Sequence, residues 1–102
     1  MLKFFVIGDE ETVLGFHLVG IDGEIVHTSE QARQSLENAV QKSSVGVILI
    51  TERIADGIRA DVDRYFYKMP VPLIVEIPDR YGVQEERSTI RDVIRNAVGV
   101  HV

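Results

Sequence analysis

The chain alternates between short, continuous apolar runs and segments in which apolar residues recur every three or four positions. The continuous runs are rich in β-branched residues, are bounded by Gly, Pro, Ser or acids, and occupy residues 2–7, 45–50 and 71–77. Runs of this kind predict strands that are buried on both faces of a sheet. A weaker strand, residues 24–27, is predicted after the turn signal Asp22-Gly23.

Helical periodicity fills the first two intervals between these runs. Asp9 is the predicted N-cap of a first helix, in which Leu14, Leu18 and Ile21 follow an i, i+4, i+7 row. Thr28-Ser29-Glu30-Gln31 has the spelling of a capping box and therefore predicts the start of a second helix.

A third helix is predicted from one amphipathic stripe that ends before Pro70 and consists of Ile54, Ile58, Val62, Tyr65 or Phe66, and Met69. The aromatic run Tyr65-Phe66-Tyr67 has two interpretations, core packing or an interface cluster, with Tyr67 as the member more exposed to solvent. A fourth helix follows the loop at residues 78–82 and stops at Gly99.

The resulting order β-α-β-α-β-α-β-α predicts parallel strands joined by right-handed crossovers. We therefore predict an α/β fold: a small doubly wound four-stranded parallel sheet of order 2-1-3-4, flanked by helices, with an extra C-terminal helix. Residues 1–78 form the Rossmann-like core domain, residues 79–83 a hinge loop with Pro78 and Gly82 as hinge residues, and residues 84–102 a docking helix. A chain of 102 residues makes a single compact domain overall.

Composition narrows the function. The net charge of −5 argues against a nucleic-acid partner, because such binding depends on neutralising phosphates. The absence of cysteine excludes disulfides and thiolate catalysis. No apolar run approaches the ~18 residues that span a bilayer, so no direct membrane insertion is predicted. The short apolar opening runs into Gly8-Asp9 and is not a signal peptide, which favours a cytoplasmic location.

The carboxyl ends of the predicted strands are rich in acids. Ligands of open α/β sheets bind outside these ends, and the six carboxylates there belong to Asp9, Glu10, Glu11, Glu30, Glu52 and Asp79. They would repel a nucleotide or flavin phosphate at the helix N-termini, and the chain has neither a G-x-G-x-x-G motif nor a P-loop. No cofactor is predicted.

The acids at the strand ends are compatible with two functional interpretations. In a receiver-like signalling domain, Asp9, Glu10 and Glu52 would hold Mg²⁺, although Thr51-Glu52 stands where the acceptor aspartate is needed. The alternative is that Asp9 caps the first helix and its acidic neighbours favour the helix dipole. A small-ligand-binding α/β module is the second possibility.

No catalytic or metal-binding residue is predicted, and so no enzyme. His17, His27 and His101 do not share metal-ligand spacing, and His17 is expected to be a partly buried packing residue. Asp61 and Asp63 diverge by roughly 200° on a helix, so they cannot form one catalytic pair and are expected to be solvated and paired with nearby arginines.

The predicted C-terminal helix is a candidate partner-binding element. The predicted partner-binding residues are three apolar ones and three arginines at i, i+4 and i+8 that flank them: Ile90, Val93, Ile94, Arg87, Arg91 and Arg95. This combination suits a partner with an apolar groove and an acidic rim. The alternative is a terminal helix packed on its own sheet, with its arginines in water.

Four stretches resemble the F subunits of the V/A-type rotary ATPases: residues 7–16 with Gly20-Ile21, residues 47–55, residues 72–78 and residues 97–100. The resemblance implies a non-catalytic central-stalk protein of a complex that couples ATP hydrolysis or synthesis to proton or sodium transport. It would bind the coiled-coil D subunit of the stalk, contact the catalytic and regulatory head subunits, and modulate hydrolysis through its C-terminal helix. The short loop after Pro78 favours a bacterial or archaeal type, peripheral to the membrane on the cytoplasmic side.

Overall fold

Strands and helices alternate along residues 2–79, the part of the chain that a computed structural model describes. The strands are β1 (Lys3–Gly8), β2 (Asp22–Ile25), β3 (Val45–Thr51) and β4 (Leu73–Ile77). The helices are α1 (Glu10–His17), α2 (Ser29–Val40), α3 (Glu52–Gly57) and α4 (Arg59–Lys68). Outside these residues lie the predicted fourth helix, Gly82, His101 and all six partner-binding residues, Arg87, Ile90, Arg91, Val93, Ile94 and Arg95.

The four strands form one parallel sheet of order β2-β1-β3-β4, which confirms the predicted order 2-1-3-4. The register aligns Phe4 with Val47 and Val47 with Leu73, so one apolar row crosses three strands. Because side chains alternate between the two faces of a strand, this row lies on a single face of the sheet.

Each face of the sheet has its own apolar core. The larger core contains Ile7, Ile48 and Ile50 from the central strands and buries residues of α2, α3 and α4. The smaller core lies on the other face, where Val6 and Leu49 pack with Val13 of α1. Helices on both faces make the sheet doubly wound, as predicted.

The predicted single third helix is wrong, because the segment forms α3 and α4 with a break at Ile58. Ile58 has φ −133° and ψ 40°, outside helical geometry, and follows Gly57, a residue that weakens helices. Its side chain is nevertheless buried in the larger core, and its carbonyl accepts the first hydrogen bonds of α4, from the N–H groups of Asp61 and Val62. The apolar stripe therefore continues across a break in the backbone.

Two further sequence predictions are wrong in position. Strand β2 begins at Asp22 and not at residue 24, because the turn signal itself pairs with β1. Helix α1 ends at His17, and both Leu14 and Leu18 are exposed, at 50% and 87%. Val13 is the residue of α1 that is buried on the sheet, so the apolar row that predicted this helix is not its packing face.

Replacing Gly23 by Ala should destabilise the fold by about 1–3 kcal/mol, the usual cost of overpacking a core. An added Cβ would lie 2.5 Å from the carbonyl oxygen of Val6 and against a Val6 methyl group. Urea unfolding of the full chain measures the change in the free energy of unfolding.

The matched control is Gly15→Ala, since Gly15 lies in α1 and a Cβ there has nothing within 4 Å. This change should stabilise the helix by about 0.5–1 kcal/mol. Equal effects of the two substitutions would contradict the close approach of β2 to β1.

Candidate functional site

The carboxyl end of β1 leads into α1 through Asp9, which is the N-cap of that helix. Its Oδ2 accepts the backbone N–H of Thr12 at 3.2 Å, and its Oδ1 accepts the Thr12 hydroxyl at 2.7 Å. The predicted N-cap is confirmed. Both oxygens of Asp9 are thus engaged in starting the helix, and Glu10 and Glu11 occupy the exposed first turn, where the helix dipole favours acids.

The carboxyl end of β2 leads into α2 through its N-cap, Thr28, so the helix start predicted from the capping-box spelling is confirmed. The Thr28 hydroxyl oxygen accepts the N–H of Gln31 at 3.1 Å. The Gln31 side chain in turn accepts the N–H of His27 at 2.8 Å. In a capping box the side chain at the position of Gln31 accepts the N–H of the N-cap residue, so the second hydrogen bond here is shifted by one residue, to His27.

The ends of β3 and β4 are linked by an ion pair. Arg53 of α3 donates from Nε to Oδ2 of Asp79 at 2.9 Å, and the Asp79 side chain is only 7% exposed. Thr51 and Glu52, which join β3 to α3, are each 1% exposed. Asp9, Glu30 and Asp79 are therefore paired with the chain's own groups, and a phosphate would meet carboxylates after all four strands.

Metal binding finds no support in the described residues. Within 2–79, no three His, Asp or Glu side chains come close enough together to hold an ion. The receiver-like alternative needed Asp9, Glu10 and Glu52 to converge, and Asp9 instead caps α1.

A cleft of about 250 Å³ lies at the carboxyl edge between the start of α2 and α3. Its lining includes Arg53 and His27. The sequence prediction counted only the acids at this edge and missed the basic residue at the cleft. The volume of the cleft is below the ~300 Å³ at which ligand pockets usually begin.

Asp61 and Asp63 pair with arginines, as predicted. Asp61 accepts from Arg33 at 3.0 Å and from Arg64 at 3.2 Å, and Asp63 lies 3.4 Å from Arg59. Asp61 is the main cause of the raised pKa of Arg33, with Glu30 contributing. The Asp61–Arg33 pair joins α4 to α2, whereas Asp63 pairs with Arg59 within α4. The Asp61 side chain is only 17% exposed, so the prediction that it is solvated is wrong.

Arg59 is the centre of an ion-pair network that sequence reasoning missed. Its two terminal nitrogens donate to the two carboxylate oxygens of Glu76 at 2.7 and 2.8 Å, and one also donates to Asp56 at 2.5 Å. The hydrogen bonds to Glu76, followed by those to Asp56, raise the pKa of Arg59. The network ties α4 to β4, the edge strand, and its only sequence signal is an acid inside an apolar strand.

Of the other functional candidates singled out from the sequence, Tyr65 is partly buried and the rest of those described are exposed. Tyr65 is partly buried against the larger core, whereas Phe66 and Tyr67 are 50% and 82% exposed and contact each other edge to face at 5.2 Å. His17 is exposed, so its predicted packing role is wrong: it lies in the last turn of α1, beyond Val13, the buried contact of this helix. Of the two predicted hinge residues, Pro78 lies within residues 2–79, where it is exposed directly after β4.

Known proteins resemble this chain in sequence along almost its whole length. Residues 4–94 match the family described as ATP synthase (F/14-kDa) subunit. The F subunit of the A-type ATP synthase of Pyrococcus furiosus is 37% identical over 106 residues, which cover 99% of this chain and 98% of that protein. The corresponding protein of Thermococcus sibiricus is 34% identical with the same coverage.

The crystal structure of the V-type ATP synthase F subunit of Archaeoglobus fulgidus has the same fold. It matches with a TM-score of 0.65 at 23% identity, over 74% of this chain and 96% of that chain. The two chains thus share one class of fold, a small α/β domain. The sequence matches extend over nearly the whole length, and the chain belongs to the family of ATP synthase F subunits. It is a non-catalytic component of an ATP synthase complex.

No helix within residues 2–79 combines the length and the apolar character that crossing a bilayer requires. The chain is a peripheral component of its complex.

Replacing Asp9 by Ala should destabilise the fold by about 1 kcal/mol, because the N–H of Thr12 loses its acceptor. Asp9→Asn is the matched control. Its amide oxygen can still accept the N–H of Thr12, so this change should lower the free energy of unfolding by only about a few tenths of a kcal/mol. Urea unfolding measures both. The values should be the same with and without Mg²⁺, and a stabilisation by Mg²⁺ that Asp9→Asn abolishes would contradict the capping role.

A double-mutant cycle of Arg59→Met and Glu76→Gln should give a coupling free energy of about 1 kcal/mol, because the ion pair is bidentate and partly buried. The control cycle combines Arg64→Met with Asp61→Asn. This ion pair is monodentate, and its Arg64 side chain is 51% exposed. Thermal unfolding gives both values, and a coupling at Arg59–Glu76 no larger than that of the control would refute its role.

Proposed function

We propose that this chain is a central-stalk rotor component of an A-type ATP synthase, binds the coiled-coil D subunit of the stalk, and modulates ATP hydrolysis by the head subunits. The observation that carries the proposal is the match to F subunits along almost the entire chain. The complex couples ATP turnover to proton or sodium transport, and this chain lies on its cytoplasmic side.

The arrangement of the carboxyl edge supports a role through surface contacts. At this edge other α/β folds bind nucleotides, and they use free N–H groups at helix starts. Here Asp9 and Thr28 already accept N–H groups at the starts of α1 and α2. Other subunits therefore handle ATP, and this chain contributes docking surfaces.

The proposal includes residues 84–102 as a docking helix, with residues 79–83 as a hinge between Pro78 and Gly82. A helix of ~15 residues is marginal alone in water and must pack on something. One available surface is its own sheet, where Phe4 and Leu73 are about half exposed on the face that carries α1. The other is a partner with an apolar groove for Ile90 and Ile94 and an acidic rim for the arginines.

Co-purification tests the assignment. A tagged full-length chain, recovered from the native membrane fraction, should bring with it a coiled-coil stalk protein and the ATPase head. The complex lacking this chain should show altered ATP hydrolysis. Recovery of the chain without any other ATPase component, together with unchanged hydrolysis in its absence, would reject the proposed function.

Reversing Arg87, Arg91 and Arg95 to Glu should weaken binding of the chain to the rest of the complex by roughly tenfold or more, because three charges at an acidic rim become repulsive. Titration of the depleted complex with the variant measures the affinity. The matched control carries Lys at the same three positions and should bind within a few-fold of the native chain. Unchanged affinity in the Glu variant would remove the arginines from the site.

A further inference from the structure

The amino-terminal edge of the sheet is unlike the carboxyl edge. We use "amino edge" for the segments that precede the strands: residues 2–3, 18–22, 41–44 and 68–72. These segments meet at one end of the molecule because the four strands are parallel. The backbone N–H of Lys3 donates to the carbonyl of Ser44 at 2.7 Å, which joins the first and third segments directly.

Exposed apolar side chains concentrate at this edge. Of the ten large hydrophobic residues exposed within residues 2–79, eight lie in the amino edge or within two residues of it: Leu2, Phe4, Leu18, Val19, Phe66, Tyr67, Val71 and Leu73. Leu18 is 87% and Tyr67 82% exposed. A cluster of this kind at one end of a small domain is typical of a contact surface, whereas single exposed residues are not.

The amino and carboxyl edges of the sheet also differ in charge. The chain has three lysines, Lys3, Lys42 and Lys68, and all three lie in the amino edge, where the acid is Asp22. Within residues 2–79, the carboxyl edge instead has six acids against one arginine, Arg53. In a chain of net charge −5, the amino edge is therefore a locally basic surface. Lys42 lies 4.8 Å from the ring centre of Phe5, which leaves Lys3 and Lys68 as its outer charges.

The amino edge also contains a concave feature. A cleft of about 350 Å³ opens between the start of β1 and the loop from α1 to β2, lined by Leu2, Lys3, Phe4, Gly20, Ile21 and Asp22. Gly20 has φ +89°, a conformation that residues with a side chain rarely adopt, so the loop shape depends on this glycine. A cleft with apolar walls and a charged rim accepts a single anchoring side chain of the kind that dominates interface energetics.

We infer that the amino edge is a second docking surface of this chain, and that its partner is an amphipathic helix of another subunit with apolar anchors flanked by Asp or Glu. The apolar cleft receives an anchor, and Lys3 and Lys68 face the partner's acids. This inference rests on the proposed function, because it requires the chain to work within a complex. It adds a contact surface at the end of the domain opposite to the exit of β4.

Three other occupants fit less well. The chain's own predicted helix, residues 84–102, could cover Phe4 and Leu73, but its arginine row, Arg87, Arg91 and Arg95, has the same sign of charge as the lysines of this edge. Recognition of anionic lipid surfaces usually involves about 4–8 basic residues, more than the three here. A second copy of this chain would place its acidic carboxyl edge on the basic amino edge, a head-to-tail contact that builds open filaments. An amphipathic helix with acidic residues beside its apolar anchors would pair with the lysines and also place an anchor in the cleft.

Affinity measurement provides the first test. The double substitution Lys3→Glu with Lys68→Glu should weaken binding to the ATPase complex depleted of this chain by roughly tenfold, and raised salt should narrow that difference. Leu18→Ser should weaken it severalfold without affecting folding, because Leu18 is almost fully exposed. The control Glu10→Lys with Glu11→Lys has the same size of charge change at the opposite edge and should bind within about twofold of the native chain.

Photo-cross-linking identifies the occupant. Benzoylphenylalanine at Leu18 or Val71, in the assembled complex, should link to a helix of another subunit with acidic residues beside its apolar face, whereas the same probe at Ile25 should not. Native affinity of the lysine variant would overturn the inference. So would binding of the chain to vesicles that contain anionic lipid, or cross-links only between copies of the chain. Failure of the native chain itself to bind the complex would instead reject the proposed function.

Discussion

The parallel pairing of β1 with β3 is the interaction on which the rest of this structure depends. The two strands are the central ones, and their alternating side chains supply both cores: Val6 and Leu49 on one face, Ile7 and Ile50 on the other. Because the outer strands are added in the same direction, all carboxyl ends meet at one edge and all amino ends at the other. The opposite chemistry of the two edges is therefore a direct consequence of strand direction.

Local signals in the sequence predict local structure well. Asp9 and Thr28 cap helices through hydrogen bonds that span only three residues, and those contacts can be recognised from neighbouring letters. Alternation of strands and helices predicts the strand order, since right-handed crossovers leave few arrangements. The break at Ile58 is not predictable in this way, because its apolar stripe is the same whether the backbone continues as one helix or as two.

Burial and pairing depend on tertiary neighbours that sequence spacing does not reveal. The apolar runs at 2–7 and 71–77 predict strands covered on both faces, yet Phe4 and Leu73 are about half exposed. Arg53 meets Asp79 across 26 positions, and Arg33 meets Asp61 across 28. The acids of the candidate site were thus predictable as residues, while the partners that occupy them were not.

The proposed amino-edge surface lies at the end of the domain opposite to the end of β4, and this separation has a consequence for the complex. Strand β4 has five residues and ends at the carboxyl edge, where the chain continues toward residues 84–102. At ~3.3 Å per residue, its ends are about 16 Å apart, too far for one partner side chain to reach both. A protein that binds one element at each end of a rigid sheet holds those elements at a fixed distance. Movement at one end would then be transmitted through the strands themselves, which requires no catalytic group in this chain.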